Sequence, residues 1–213
     1  MNKIKVFISY ADEDRQVAHE LKTIFEQVYG FYVFAFKKSL RLSQPTAETI
    51  ISNLKNCDFF VPIISKNYEK SPTSNQEAGI ALSLGKKIIP PVIDEIGSPC
   101  GFLSIYWGGL EVTEKRYIAE NIASLFFFNI FEADQFKNFR LKARSCVVDA
   151  LCISQDFKHS TLSMRAIMKV EGLLKSHKEK IIAAVKENRC LYEEQFTFPT
   201  FRTYFRKKFN IDF

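Results

Sequence analysis

Ile4-Lys5-Val6-Phe7-Ile8-Ser9-Tyr10 is a short run of β-branched and aromatic residues with no polar alternation after Val6, and the acidic turn Asp12-Glu13-Asp14 follows it closely. An apolar run of this length, bounded by a turn signal, predicts a strand buried on both faces, as in the centre of a parallel sheet. Beyond the turn, Val17, Leu21, Ile24, Phe25 and Val28 recur at helical spacing and Gly30 supplies a stop. That pattern predicts an amphipathic helix with acids in its first turn, and Asp12 or Asp14 is the expected cap.

The strand and helix repeat along the chain. Phe31 to Phe36 reads as a second strand, Lys37 to Pro45 as a polar loop, and Ile50, Ile51 and Leu54 mark the next helix. Asp58 to Ile64 is a third apolar strand, in which Pro62 costs a ladder hydrogen bond. A Ser/Asn/Pro/Thr-rich loop from Ser65 to Asn75 precedes a short helix, Gln76 to Leu84, stopped by Gly85, and Lys87 to Ile93 is a fourth strand. Strands alternating with single helices predict βαβ units with right-handed crossovers. The expected fold class is α/β, a flavodoxin-like parallel sheet with helices on both faces.

Beyond Asp94 the signal thins to a short edge strand within Leu103 to Val112 and a covering helix from Thr113 to Phe128. After residue 130 the alternation stops. Ser163 to Asn188 reads as one helix started by Ser160 or Thr161, and Phe196 to Phe213 has no clear assignment. The expected organisation is a domain over residues 1–130 and a mainly α-helical C-terminal extension over 131–213.

Composition narrows the function classes. Hydrophobic residues make up 46% and charged residues 25% of 213, an ordinary globular balance. No apolar run reaches the roughly 18 residues that span a bilayer, and the N-terminus enters a strand directly, so a cytoplasmic protein without membrane contact is expected. Five Cys (57, 100, 146, 152, 190) form no CxxC pair and read as reduced, small hydrophobes. His19, His159 and His177 show no ligand spacing with them, so no metal is expected. The +6 net charge sits mainly in residues 151–213, which hold 12 basic and 7 acidic side chains. Such a run is ordinarily a solvated surface, and nucleic acid is not an expected partner.

Four segments in order resemble the TIR family, and specifically its prokaryotic branch. They are Val6 to Asp14, Val33 to Phe36 with the loop Lys37 to Thr46, Cys57 to Ser65, and Ser71 to Ala81 followed by Gly85 to Pro90. In the last, the family places a Glu in the first turn of a helix after a serine-rich loop; here that residue is Glu77. The mobile BB loop of the family corresponds to Lys37 to Thr46, although Phe36-Lys37-Lys38 and Ser43-Gln44-Pro45 depart from its usual acid and glycine. Thr73 likewise stands where an aromatic is common.

The resemblance implies cleavage of NAD⁺ at the nicotinamide–ribose bond, with Glu77 as the catalytic carboxylate. The departing base is already a cationic pyridinium and leaves neutral, so it needs no general acid, and one of the two carboxylates of an ordinary glycosidase becomes dispensable. What remains is to stabilise an oxocarbenium-like ribose. NAD⁺ would be a substrate, with no retained cofactor; GxGxxG and GxxxxGK[ST] are both absent from the sequence. Ser9 and Tyr10 lie at the carboxyl end of the first strand, where open α/β sheets bind ligands. Phe34, near the end of the second strand, is expected to offer a ring face for nicotinamide or adenine, and Lys38, Leu40, Ser71 and Ser74 complete the substrate contacts that the resemblance implies. Lys37 and Arg41 lie in the same loop and could approach a pyrophosphate.

Competing readings attach to the same residues. Ser74-Asn75-Gln76-Glu77 is also an S-x-x-E capping box, in which Glu77 bonds back to the Ser74 amide. An acidic pair after strand one is also the mark of a phospho-receiver, but that reading needs an Asp at the end of strand three, where Ile64-Ser65 stands. The resemblance further implies self-association with other TIR domains and, by analogy with Thoeris antiphage systems, a product such as cyclic ADP-ribose sensed by a separate effector. The alternative within the family is a non-enzymatic adaptor that docks onto other TIR domains through the BB loop.

Overall fold

The computed structural model describes residues 3–35, 47–94, 110–111, 117–193, 195 and 197–213. The chain packs as two compact units. One comprises Ile4–Thr23 and Tyr32–Phe126; the other comprises the N-terminus through Lys3, Ile24–Phe31 and Phe127–Phe213.

In the first unit, strand β1 (Lys5–Ser9) is followed by a 3-10 turn over Asp12–Asp14 and by helix α1 (Arg15–Gln27). Then come β2 (Tyr32–Phe34), α2 (Ala47–Asn56), β3 (Phe59–Pro62), α3 (Lys66–Lys70), α4 (Pro72–Ser83) and β4 (Lys87–Ile88). The four strands form one parallel sheet in the order β2-β1-β3-β4. The chain therefore winds outward one way through β2 and the other way through β3 and β4, so its direction reverses between β1 and β3. Open α/β sheets form a crevice at the carboxyl ends of the strands where that reversal occurs.

Period-two alternation decides what each face of the sheet buries. Phe7 and Phe60 are register partners and stack with centroids 5.8 Å apart. They join Leu54 of α2 and Ala78 and Ala81 of α4 in one buried cluster. Phe59, one residue out of phase, meets Phe126 of α5 (Ile118–Glu132) edge-on at 5.2 Å. Helices thus cover both faces, and each fully buried Phe contributes roughly 2 kcal/mol to holding them there. Ser9, two residues after Phe7, shares the α4 face.

Pro62 closes β3 opposite Ser9, beyond the last β3–β4 pair at Phe60↔Ile88. The ladder continues on the β1 side because the Ile63 amide donates to the Ser9 carbonyl at 2.9 Å. The expected strand Lys87 to Ile93 is two pieces, β4 and β5 (Pro91–Val92), separated at Pro90, which lacks the N–H that a continuous ladder needs. Strand β5 pairs in parallel with β6 (Leu110–Glu111). The rest of the expected edge strand, residues 103–109 and 112, and the helix start at 113–116 lie outside the described residues.

The second unit is helical. Its helices are α6 (Arg140–Cys152), α7 (Phe157–Lys169), α8 (Lys175–Glu187), α9 (Arg189–Tyr192) and α10 (Phe198–Phe209), with a 3-10 segment over Asp134–Phe139 ahead of α6. The single helix expected over Ser163 to Asn188 is α7 and α8, parted at Gly172, whose φ of +74° suits glycine best. Its start is earlier than Ser160, with the Asp156 side chain accepting from the His159 amide at 2.8 Å. Helix α10 occupies the tail that the sequence left unassigned, burying Phe201 and Phe205 against Phe213. No described helix is long and apolar enough to cross a membrane.

Candidate active site

Helix α4 begins four residues earlier than its sequence pattern suggests. Ser71 is the N-cap, its hydroxyl accepting from the Ser74 amide at 3.3 Å, and Pro72 takes the first helical position, where no N–H is required. Segment 65–75 is accordingly not a loop: it holds α3 and the first turn of α4. The capping box read at Ser74 to Glu77 does not form, because Ser74 is the third helical residue and Glu77 the sixth. Glu77 lies in the second turn, on the face that also buries Ser74, Ala78 and Ala81.

That face brings the carboxylate to the end of β1. Glu77 is only 5% exposed, and Ser9 Oγ donates to its Oε2 at 2.5 Å. Ser9 Oγ also lies 3.0 Å from Tyr68 Oη, which donates to the Ser74 carbonyl at 3.1 Å. Ser74 Oγ in turn donates to the Tyr10 carbonyl at 3.3 Å and to Ser71 Oγ at 2.9 Å. Ser9 of β1, Tyr68 of α3, Ser74 of α4 and the cap Ser71 are therefore linked in one hydrogen-bonded chain that ends on a buried acid, at the carboxyl end of β1 and beside the reversal point. Burying a carboxylate costs several kcal/mol unless hydrogen bonds compensate. Ser9 supplies one such bond.

Electrostatics keep the surrounding phenols protonated. Burial pushes the Tyr68 hydroxyl well above the ordinary tyrosine value, the Ser9 hydrogen bond opposes that shift, and the Glu77 charge adds to it. Tyr10 is also raised, by burial first; Arg15 lowers it, and Asp12 and Glu77 raise it. Both side chains serve as neutral hydrogen-bonding groups.

A second buried pair stands at the end of β3. Ser65 caps α3 by accepting from the Tyr68 amide at 3.0 Å, and its hydroxyl donates to Asp14 Oδ2 at 2.5 Å. Burial raises Asp14 above the ordinary carboxylate value, against the hydrogen bonds from Ser65 and Asn67 that lower it. Neither Asp12 nor Asp14 caps the helix start as expected: Ala11 holds the N-cap position with no side-chain bond, and Asp12 pairs with Arg15 at 3.1 Å. Asp14 reaches across to β3 because the 3-10 turn swings it inward, leaving the cap geometry unmet.

Of the residues expected at a substrate site, Ser9, Tyr10, Ser71, Ser74 and Glu77 come together. Phe34 does not join them: it pairs in register with Phe7 on β2, packs at the margin of the apolar cluster, and meets Tyr32 edge-on at 4.9 Å. Lys38 and Leu40, with Lys37, Arg41 and the rest of the BB-loop region at 36–46, lie outside the described residues. Tyr68 is the member that the sequence reading missed. Its signal was Ser65 three residues earlier, a cap that turns a nominal loop into a helix and aims position 68 inward. Among the described residues no group of three or more His, Cys, Asp or Glu side chains is placed to hold a metal ion.

Comparison with known proteins follows the same span. A family model described as TIR domain matches residues 6–123. The TIR domain of the Toll-related receptor TRR-2 from Hydra magnipapillata aligns at 20% identity and a TM-score of 0.45, over 59% of this chain and 94% of that one. The TIR domains of the activated Roq1 resistosome, which directly recognizes the pathogen effector XopQ, align at 19% identity and a TM-score of 0.38, over 76% of this chain and 96% of that one. No curated protein matches the chain.

Proposed function

The chain belongs to the TIR domain family, and from that premise we propose that it is an NAD⁺ nucleosidase that breaks the nicotinamide–ribose bond with Glu77 as its catalytic carboxylate. The observation that carries this reading is a single one. Glu77 is a buried acid at the carboxyl end of the central strand, bonded to Ser9 at 2.5 Å.

A carboxylate so held has lost most of its water, and its attraction for positive charge is correspondingly strong. As the C1′–N bond of NAD⁺ breaks, the electron pair leaves with nicotinamide, which departs neutral, and the positive charge moves onto the ribose. Glu77 stabilises that charge and orients the ribose hydroxyls; water or a nucleophile within the released ADP-ribose moiety then attacks C1′. The first outcome gives ADP-ribose and the second a cyclic product. Ser9, Tyr10, Ser71 and Ser74 are the proposed surroundings of the substrate, together with Lys38 and Leu40; Phe34, packed at the margin of the apolar cluster, is left out. NAD⁺ is substrate here, and no retained cofactor enters the scheme.

Self-association with other TIR domains belongs to the same proposal, as membership of the family suggests. A cyclic product would suit a signalling role in antiphage defence, read by a separate effector in the cytoplasm. Nicotinamide release from NAD⁺ by the purified chain at high protein concentration, with products resolved by mass spectrometry, tests the activity. Release of nicotinamide in step with an ADP-ribose-type product is the expected result. Unchanged NAD⁺ across the concentration range overturns it.

A second reading, a non-enzymatic module that docks onto other TIR domains, is favoured by one feature: at 5% exposure Glu77 already has a protein donor. In that case the Ser9–Glu77 bond only ties α4 to β1. Glu77→Gln separates the two, because a purely structural acid would change stability and leave no NAD⁺ turnover to lose.

A further inference from the structure

The bonds around Glu77 contain a mismatch between hydrogens and contacts. Three close oxygen pairs run in a line: Glu77 Oε2 with Ser9 Oγ at 2.5 Å, Ser9 Oγ with Tyr68 Oη at 3.0 Å, and Tyr68 Oη with the Ser74 carbonyl at 3.1 Å. A serine hydroxyl carries one hydrogen, a phenol one, and an ionised carboxylate or a carbonyl none. With Glu77 ionised, two hydrogens must serve three contacts. Ser9 donates to Glu77 and Tyr68 donates to Ser74, and two oxygens then face each other at 3.0 Å with no hydrogen between them. Alternatively Tyr68 turns to Ser9, and the Ser74 carbonyl loses that donor.

One added proton removes the conflict. When Glu77 is a neutral acid it donates to Ser9, Ser9 donates to Tyr68, and Tyr68 donates to the Ser74 carbonyl, so each contact holds one hydrogen. Ser9, Tyr68 and Ser74 are all at most 1% exposed, so bulk water does not freely make good the missing bond. In a buried network an unmet contact is costly.

We propose that Tyr68 is a positioning residue of the reaction, its hydroxyl acting through Ser9 to set how many protons the Glu77 network holds. The inference deepens the proposed NAD⁺ cleavage at the same site and rests on that reading for its catalytic meaning. Ionisation sends the proton from Glu77 to water and turns the Ser9 hydroxyl from Tyr68 to the carboxylate. Tyr68 makes that step cost a hydrogen bond. Among the described residues, the titratable groups coupled to Glu77 include Tyr10 from the end of β1 and Tyr68 from α3; Asp12 and Arg15 act on Tyr10 in turn. Both phenols stay neutral, so the hydroxyl count governs the balance at their end of the network.

Tyr68→Phe tests this while keeping the ring that fills the core. Proteins labelled with ¹³C at the glutamate carboxyl are titrated by NMR, the Glu77 signal being identified by its loss in Glu77→Gln. The midpoint in Tyr68→Phe is expected about one pH unit below that of the unsubstituted protein, the worth of one hydrogen bond. The acidic limb of kcat/KM for NAD⁺ moves down with it. An unchanged or raised midpoint overturns the proposal, whether or not the protein turns over NAD⁺; absent turnover with a lowered midpoint sinks only the proposed function. Should Tyr68→Phe fail to fold, infrared spectra of the unsubstituted protein decide. On acidification the neutral-acid carbonyl band that Glu77→Gln lacks should grow in together with a shift of a tyrosine C–O band, because the added hydrogen redistributes through Ser9 to Tyr68. Growth of the carbonyl band with the tyrosine band unmoved is then the contrary result.

Discussion

Ser9 and Glu77, 68 positions apart in the chain, are joined by a 2.5 Å hydrogen bond from the hydroxyl of one to the carboxylate of the other. The bond exists because β1 ends just where α4 turns its buried face toward the sheet. Ser9 presents its side chain to that face by the two-residue period of a strand, and Glu77 by the three- and four-residue spacing of a helix.

Ser9→Ala deletes that donor. Hydrogen bonds to charged groups contribute about 1.5–3 kcal/mol, so kcat for NAD⁺ cleavage should fall roughly ten- to hundredfold. Steady-state kinetics should show KM moving much less than kcat. A raised KM with kcat intact would make Ser9 a substrate contact and deny it the role of holding the acid.

Ser71 and Ser74 exchange the roles that their sequence suggests. Since Ser71 caps α4, Ser71→Ala should lower the unfolding free energy by about 1 kcal/mol, with Ser71→Gly losing only a few tenths. Urea denaturation of the two variants measures the difference. Equal stabilities for Ser71→Ala and the unsubstituted chain would return the cap to Ser74.

Gly30 and Gly85 both have positive φ, +67° and +62°, yet they differ in surroundings. A Cβ at Gly30 would stand 2.3 Å from the Cys146 carbonyl oxygen, whereas one at Gly85 meets nothing within 4 Å. Gly85→Ala should therefore cost about 1 kcal/mol, the left-handed conformation alone. Gly30→Ala should cost more than about 2 kcal/mol, since backbone has to move. Thermal unfolding ranks them, and a Gly30→Ala no worse than Gly85→Ala would refute the close approach.

His177 is buried between the Leu174 amide, which donates to Nδ1 at 3.3 Å, and Ser145 Oγ, 3.0 Å from Nε2. Burial lowers its pKa first, then Lys180; Asp149 opposes them, and Arg144 adds a smaller lowering. A lowered value means that the folded chain binds fewer protons than the unfolded one below the ordinary 6.5. The stability tied to neutral His177 is thus complete above pH 6.5 and is lost as pH falls from there through the depressed folded value. Denaturation midpoints measured between neutrality and pH 5 should decline in the native sequence and decline less in His177→Gln; parallel declines would count against the assignment.

The sheet is legible in the sequence because its signals are local. Phe7, Phe60 and their neighbours form runs too apolar to face water, and each run is bounded by a turn residue. Glu77 is legible as a position, a lone acid after a serine-rich stretch. Its partners are less so. Tyr68 belongs to a helix of five residues, too short to show a period, and its burial follows from the Ser65 cap and the α3–α4 junction. Pro72 reads as a loop residue until its place directly after Ser71 is seen to suit a helix start. In the tail, the Met164 to Val185 periodicity runs on through Gly172, so two helices look like one; Phe201 and Phe205 sit at helical spacing, but Arg202 between them and Arg206 to Lys208 after them mask the stripe.

The central claim is that a negative charge at position 77 breaks the nicotinamide–ribose bond, and Glu77→Gln measures it most directly because glutamine keeps the shape and a hydrogen-bonding oxygen while removing the charge. Nicotinamide release from NAD⁺ should vanish in that variant while its unfolding transition stays close to that of the unsubstituted protein. Full release by a folded Glu77→Gln would contradict the account.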